Sequence, residues 1–407
     1  MMRTIVVGAG MVGLATAWHL QERGVEVTVI DRVGVAAGSS WGNAGWLTPG
    51  KTIPLADPSL WSYGPKALLD PDAALHVPFR VDPGLWSFLA RFAAHGTARA
   101  WDRAMAALTP IDRIALECFD ELAAGGVDSW TREGPFVIGF AEEAHAKGFL
   151  HEIAGVIRHG QDVPFERLDD PRELAPQLSE RVAVGYRLDG QRFIEPAPYV
   201  EALAAAVVAR GARLVTGVEV VDVSSTRRPV VALSTGERME SDAAVIATGA
   251  WMPRLARRLG VRTRVQAGRG YSFTVDSEQP ARHPVYLPYQ RIACTPYEGR
   301  FRIAGTMEFR GPDEPFQPRR VKAIVAQARE LLTGVDLEHR HDEWVGSRPV
   351  TPDGLPLVGA TRAPNVYVAG GHGMWGIVLG PATGRFLAEQ IVTGRIDPVI
   401  APFDPLR

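Results

Sequence analysis

Six residues near the N-terminus have the types and spacing to hold a phosphate. Gly8-Ala9-Gly10-Met11-Val12-Gly13 follows Thr4–Val7, a β-branched run suited to a buried parallel strand. Leu14 to Gln21 suit a helix with small residues toward a sheet, and Gly24 ends it. Val25 to Ile30 then read as a second strand, closed by Asp31 about 20 residues beyond the glycines. Each part has a physical task. Gly8 permits a tight turn, Gly10 admits a pyrophosphate to the backbone, and Gly13 lets helix and strand pack closely. The helix start offers free N–H groups and a positive dipole end. The Asp31 carboxylate can accept hydrogen bonds from ribose hydroxyls. A plain glycine turn would lack this strand, helix, strand and acid, so a dinucleotide site is the reading.

Two further segments favour a flavin over a nicotinamide cofactor. Gly38-Ser39-Ser40-Trp41-Gly42-Asn43-Ala44-Gly45 is a second run of mostly small residues, over which main chain can lie against a ring system or a second phosphate. Ala243 to Ala250 (AAVIATGA, with Thr248 and Gly249 in its turn) reads as a strand returning to the nucleotide unit. Near the C-terminus, Asn365–Ala369 is again a buried strand, followed by Gly370-Gly371-His372-Gly373-Met374-Trp375-Gly376 and a helix from about Ile377 to Val392. No ribose acid follows it. A helix start aimed at a flavin would stabilise negative charge on the reduced ring. His372 is first a packing or hydrogen-bonding residue and only second a chemical one.

The rest of the chain must position these loops. Its 407 residues suggest two or three domains, and 46% hydrophobic with 22% charged residues fits a folded protein with a sizeable core. A net charge of -2 argues against a nucleic-acid partner. Arg254, Arg257, Arg258, Arg262, Arg264 and Arg269 form one basic stretch, read as a solvated face or as a patch for a membrane or redox partner. Cys118 and Cys294 make no disulfide framework, and no apolar run reaches the ~20 residues of a bilayer span. The expectation is a cytoplasmic protein. Residues 1 to 80 should open the nucleotide domain and end in a Pro- and Trp-rich loop. Gly84 to Gly125 should be helical, Val200 to Arg210 a helix, and Leu214 to Val223 a strand. Tyr271–Val275 and Phe301–Phe309 fit an antiparallel sheet. Pro312 to Pro318 reads as a loop that could cover the site.

Together GAGMVGLATAWHL, GSSWGNAGWLTPG, GRGYSFT, RFRIAGTMEF, WVGSRPVTPDGLPLVG and GGHGMWGIVLGPATGRFLAEQI resemble, in order and spacing, the D-amino acid oxidase superfamily, with the D-amino acid dehydrogenase branch most similar. The resemblance implies an α/β plus α+β fold: a Rossmann-like FAD domain from residues 1–80, 186–255 and 340–407, and an antiparallel-sheet substrate domain from 81–185 and 256–339. It implies that Gly8, Gly10, Met11, Val12, Gly13, Asp31 and Arg32 hold the ADP half. Ser39, Ser40, Asn43, Ala44 and Gly45 would follow the pyrophosphate and flavin. Val218 would contact the adenine side through its backbone, and Thr248 and Gly249 would also bind the cofactor. Gly371, His372, Gly373, Met374 and Gly376 would line the isoalloxazine. Relatives attach FAD through a histidine where Gly42 stands here, or through a cysteine near Gly346-Ser347-Arg348, where none exists; the FAD should be noncovalent.

The same resemblance gives Arg348 the substrate carboxylate, which a planar guanidinium matches through two charge-assisted bonds. Tyr271 is a weaker candidate for carboxylate binding, and Tyr286 and Tyr289 are candidates for the pocket lining. The implied reaction is hydride transfer from the α carbon of an amino acid to flavin N5. The acceptor would be quinone or oxygen, with peripheral contact at the inner membrane face left open. The nearest alternative is an oxygen-using oxidase of glycine, sarcosine, proline or hydroxyproline. A flavin monooxygenase or a non-enzymatic flavin-binding subunit stands further off.

Overall fold

The computed structural model spans residues 1–407 and describes every side chain except those of Ser62, Pro65 and Lys66. Two large sheets organise it. The first has six strands, in the spatial order Arg213–Thr216, Glu26–Asp31, Arg3–Val7, Ala243–Ile246, Val366–Gly370 and Leu357–Ala360. All pairs are parallel except the last. Val6, Val29, Val245 and Val368 are completely buried, as a sheet covered on both faces requires. Helices Met11–Glu22, Pro196–Ala209 and Gly376–Thr393 contribute to the core on one face. The other face carries a three-stranded meander, Val220–Ser225, Pro229–Leu233 and Arg238–Glu240. Gly217, at φ +74°, breaks the expected strand 214–223 into two that belong to different sheets.

The second sheet has nine strands. Its centre runs from His341–Val350 through Gln266–Val275 and Arg300–Phe309 to Ile292–Tyr297 and Val285–Leu287. All four of these pairings are antiparallel. Strict alternation sorts its side chains. Tyr271, Phe273, Val275, Val285, Cys294 and Ile303 form a core with the helix Pro318–Arg329. The opposite face turns toward the six-stranded unit and holds the small-residue run against itself. Ser272 Oγ donates to Gly42 O at 2.8 Å, Thr295 Oγ1 to Ala44 O at 2.6 Å and Tyr297 Oη to Asn43 O at 3.2 Å.

Three segments differ from the expected division. His341–Val350, expected in the nucleotide domain, is a strand of the antiparallel sheet; the chain crosses at the Thr351–Gly354 turn instead. Helices Ala98–Asp112 and Ala115–Ala124, expected with the substrate domain, bury Leu108, Ile111, Phe119 and Leu122 in one core with Trp18 and Tyr199. Their apolar stripe was legible; the surface it seeks was not. The Pro- and Trp-rich loop contains a helix, Leu60–Leu69, which joins Pro83–His95 as a two-helix cap. The cap region buries Leu60, Leu85, Phe88 and Phe92 in a cluster with Met307, Val350 and Met374.

Candidate functional site

A cleft runs along the C-terminal ends of the parallel strands, where open α/β sheets place ligands. Gly8, Gly10, Met11, Val12, Asp31 and Arg32 line one end. Val218, whose N–H bonds to Asp31 O at 3.3 Å, lies at that end too, and Ser39, Ser40, Asn43, Thr248, Gly249, His372, Gly373, Met374, Gly376 and Arg348 complete the lining. The remaining expected cofactor residues shape the walls from behind. A Cβ on Gly13 would fall 2.0 Å from Gly8 O, so only glycine permits this helix–strand approach. Ala44 gives its carbonyl to Thr295, Gly45 presses on Ile194 O, and Gly371 packs on Thr351 and Leu357.

Asp31 does more than await a ribose. Its carboxylate accepts from Ala9 N at 2.9 Å and from Val33 and Gly34 N at 2.8 and 3.0 Å, fixing the glycine turn. Ser40 Oγ accepts from Met11 N at 3.2 Å. The loop at Pro312–Pro318 closes over this end of the cleft. Its Asp313 accepts from Arg32 at 3.2 Å and Trp251 Nε1 at 2.8 Å, and also pairs with Arg254. The N-cap residues of the helices starting at Met11 and Gly376 make no side-chain cap; Ser40 holds the Met11 N–H, and the other first-turn N–H groups point toward the cleft end of each helix. The Thr248 hydroxyl is buried without a partner among the described residues. An elongated anionic dinucleotide fits this donor set.

Arg348 stands where the cleft meets the antiparallel sheet. Its guanidinium lies across Gly270, whose Cβ, if present, would be 2.1 Å from Arg348 Cζ. Nη1 donates to Thr306 O at 3.1 Å, and no carboxylate pairs with it among the described residues. Burial pushes this guanidinium down from the ordinary arginine range to about 10. Thr306 is strained to present that carbonyl: its φ is +51°, rare for a β-branched residue. Its own hydroxyl is buried without a partner among the described residues. A protein that leaves a half-buried cation unpaired beside a cleft is prepared for an anion.

The other candidates separate. Tyr271 does not line the cleft. It lies on the opposite face from Arg348, fully buried, with its hydroxyl bonded to Glu308 and its ring against Phe316. Glu308 also takes Arg310 at 2.8 Å and buried Arg269 at 3.8 Å, so Arg269 leaves the surface basic stretch. The strand period of 2 decides this: Gly270 faces the cleft, so Tyr271 cannot. Tyr289 is 61% exposed on a turn, stacked on His145. Tyr286 does face the cleft side, against Trp46. His372 is buried and its Nε2 meets Thr383 Oγ1 at 2.9 Å; burial pushes the imidazole down to about 4, so it is neutral and a poor base at ordinary pH. It serves the cleft as a wall.

Sequence reasoning passed over Trp344 and Thr306. Trp344 fills the space beside Gly42: a Cβ there would fall 2.2 Å from the indole. The period-2 pattern around Arg348 could have signalled it, since Trp344, Gly346 and Arg348 share a face. Nothing in the sequence marks the reversed φ of Thr306.

Known proteins match this chain over nearly its whole length. The chain is 29% identical over 401 residues to a D-amino acid dehydrogenase of Azorhizobium caulinodans, covering 96% of both chains. It is 31% identical over 407 residues to one of Methylobacterium nodulans, covering 97% of this chain and 96% of that protein. A crystal structure of glycine oxidase from Geobacillus kaustophilus superposes with a TM-score of 0.75 at 24% identity, over 100% of this chain and 99% of the other. The L-proline dehydrogenase from P. horikoshii gives a TM-score of 0.73 at 17% identity, over 100% and 97%. The family model described as FAD dependent oxidoreductase, DAO, matches residues 3–390, and the chain belongs to that family.

Proposed function

We propose that this enzyme oxidises the amine-bearing carbon of an amino acid, most simply a D-amino acid, with Arg348 as the carboxylate clamp. The observation that carries the reading is the unpaired guanidinium between cofactor cleft and antiparallel sheet. The D-amino acid dehydrogenase relatives support it.

FAD, when bound, supplies a two-electron acceptor for the hydride leaving the substrate carbon. The chain's own residues supply position. Arg348 fixes the carboxylate through its planar fork, which sets where the neighbouring carbon lies. Met307, Val350 and Met374, under the cap, keep that space apolar and exclude water. The uncapped helix start at Gly376 directs its positive end to the cleft and favours negative charge there. Among the described residues Arg348 has no carboxylate partner and His372 is held neutral, which suits a hydride leaving from a substrate amine that enters neutral. Gly42 and Trp344 support noncovalent FAD, since a histidine at 42 would collide with the indole. Anaerobic mixing with a panel of D- and L-amino acids and N-methyl amines tests the proposal: amino acids should bleach the flavin, and Arg348→Ala should raise KM sharply. A panel that leaves the flavin yellow throughout defeats it.

For the electron acceptor we favour a membrane quinone over oxygen. The cap presents Leu69, Phe79 and Val81 at 83%, 87% and 99% exposure, with the Phe79 and Trp86 rings 6.0 Å apart. Arg264 touches the cap at Gly84, and Arg257, Arg258 and Arg262 are also exposed. Apolar tips beside arginines suit an anionic bilayer surface. No helix among the described residues is long and apolar enough to cross a membrane. Sedimentation with phosphatidylglycerol vesicles should capture the protein and lose it in Phe79→Ser/Val81→Ser. Faster turnover with oxygen than with a quinone dye would favour the glycine, sarcosine or proline oxidase reading.

A further inference from the structure

Two adjacent acids in the loop Pro312–Pro318 reach in opposite directions. The loop joins strand Arg300–Phe309 to helix Pro318–Arg329, so both its ends belong to the antiparallel unit. Its main chain is held on that side too. Pro312 O accepts from Ser347 Oγ at 3.0 Å, and Pro315 O from buried Arg269 at 3.1 Å. Prolines at 312, 315 and 318 restrict its backbone, which lowers the entropy cost of holding one path. Glu314 faces the cap. It accepts from Gly311 N at 2.7 Å, Arg310 Nη1 at 3.1 Å and Arg80 Nη1 at 2.5 Å. Arg80 continues to Asp82 at 3.2 Å, and Asp82 caps the helix Pro83–His95 by accepting from Leu85 N at 2.9 Å.

Asp313 crosses to the cofactor unit. One carboxylate oxygen accepts from Arg32 at 3.2 Å and from Trp251 Nε1 at 2.8 Å; the other pairs with Arg254. All three partners line the cleft. Arg32 follows strand Glu26–Asp31, whereas Trp251 and Arg254 follow strand Ala243–Ile246. Strand Arg3–Val7, which ends in the Gly8 turn, lies between those two. The Arg32 guanidinium carbon nevertheless sits 4.3 Å from the centroid of the Trp251 ring. Side chains from both flanks thus meet across the glycine turn, and Asp313 fastens them to the loop. An isolated exposed ion pair contributes little. Here one acid gathers two guanidinium groups and an indole N–H, and the charge of Arg32 also rests on an aromatic face.

We propose that Pro312–Pro318 is a strap that retains FAD, with Asp313 as its latch on the cofactor unit and Glu314 as its tie to the cap. A dinucleotide lying along the glycine turn leaves by parting Arg32 from Trp251, and Asp313 opposes that parting. The next residue is bound to Arg80, so latch and cap share one stiff segment, and loosening the cap side loosens the hold on FAD. Arg254 takes a specific role here that sets it apart from the rest of the basic stretch.

The test follows FAD release from the loaded protein through the rise in flavin fluorescence on dilution. Asp313→Ala should speed release by about tenfold to a hundredfold. Asp313→Asn should do so by less, since its amide oxygen still accepts from Trp251. Glu314→Gln alters no bond to the cofactor unit, yet should speed release by about threefold to tenfold. Salt gives a check on the native chain. Raising ionic strength from about 0.01 M to about 1 M cuts the screening length from about 30 Å to about 3 Å, so native release should quicken, and Asp313→Ala should lose most of that response. FAD-free Asp313→Ala should unfold at the native temperature, which makes its faster release a loss of the latch and not of the fold. Release from Asp313→Ala at the native rate, or a native rate indifferent to salt, overturns the latch. A Glu314→Gln rate equal to native overturns the tie to the cap.

Discussion

Replacing Arg348 with methionine should cripple turnover and stabilise the fold. Two charge-assisted hydrogen bonds to a carboxylate contribute roughly 1.5–3 kcal/mol each. With about 1.4 kcal/mol per tenfold, loss of both lowers kcat/KM by about a hundredfold to about twenty-thousandfold. The stability side has the opposite sign. Burial holds the Arg348 guanidinium at about 10, well below the ordinary arginine range, a penalty of roughly 3 kcal/mol on the charged form. The folded state binds this proton more weakly than the unfolded chain. The penalty is therefore in full force below the folded value, and so at neutral pH, and fades only as pH rises from about 10 toward the ordinary arginine range. Methionine removes it. Methionine also removes the donor to Thr306 O, a loss of about 1 kcal/mol. The balance favours the variant by about 2 kcal/mol, or ~2–4 °C in Tm for a chain of this length. Thermal unfolding of the FAD-loaded proteins without amino acid measures one half, and steady-state kinetics with a dye acceptor the other. A Tm that falls by several degrees would show that the guanidinium is structurally paired. A kcat/KM within tenfold of native would show that no carboxylate meets it.

Further outcomes follow from neighbouring residues. His372 should contribute no ionisation to the pH profile of kcat/KM near neutrality, because burial keeps it neutral down to about 4. The unfolded chain takes that proton first, near 6.5, so folding stability is lost as pH falls from about 6.5 through about 4; His372→Gln should flatten this loss in acid-unfolding curves. Tyr271→Phe should lower stability by about 1–3 kcal/mol, by stripping a hydrogen bond from buried Glu308, with KM changing less than twofold to threefold in kinetic assays. Acid precipitation should release all the FAD into the supernatant, and Gly42→His should weaken FAD retention on a desalting column without creating a covalent bond, because Trp344 holds the space.

The cofactor end of the site was legible because its chemistry is local. Glycine turn, helix and acid follow one another within Gly8–Asp31, and every piece lies where its spacing puts it. The substrate end depends on which face of a strand a residue takes. That parity was available for Gly270 and Tyr271 once Gly270 was known to lie under Arg348, but the sequence gives no such register. Bulges blur it further: the pairing of Gln266–Val275 with Arg300–Phe309 shifts between Arg269 and Tyr271, opposite the kink at Thr306. The helical stripe at Ala98–Ala124 was correct as a stripe, yet periodicity does not say which core it enters. The cap helix Leu60–Leu69 remained hidden because its proline and tryptophan content reads as a loop.

The main chain around Arg348 explains how a clamp on one sheet can be registered to a cofactor held by another. Ser347, just before it, accepts at its carbonyl a hydrogen bond from Ser39 Oγ in the small-residue run. Pro349, just after it, accepts from Gly373 N at 2.9 Å in the C-terminal glycine turn, and Val350 forms a bridge with His372. Both flanks of the arginine are thus fastened to cofactor loops, while its guanidinium reaches across Gly270 to Thr306 on the antiparallel sheet. Small errors in the separation of reacting atoms cost orders of magnitude in rate, so the clamp must take its position from the flavin's walls. The nine-stranded sheet then supplies the shape of the pocket, and its strands can diverge to suit different side chains without moving the carboxylate. On this view Ser39→Ala should lower kcat more than it raises KM, since it loosens the registration while leaving the guanidinium in place. A purely KM effect would place the registration elsewhere.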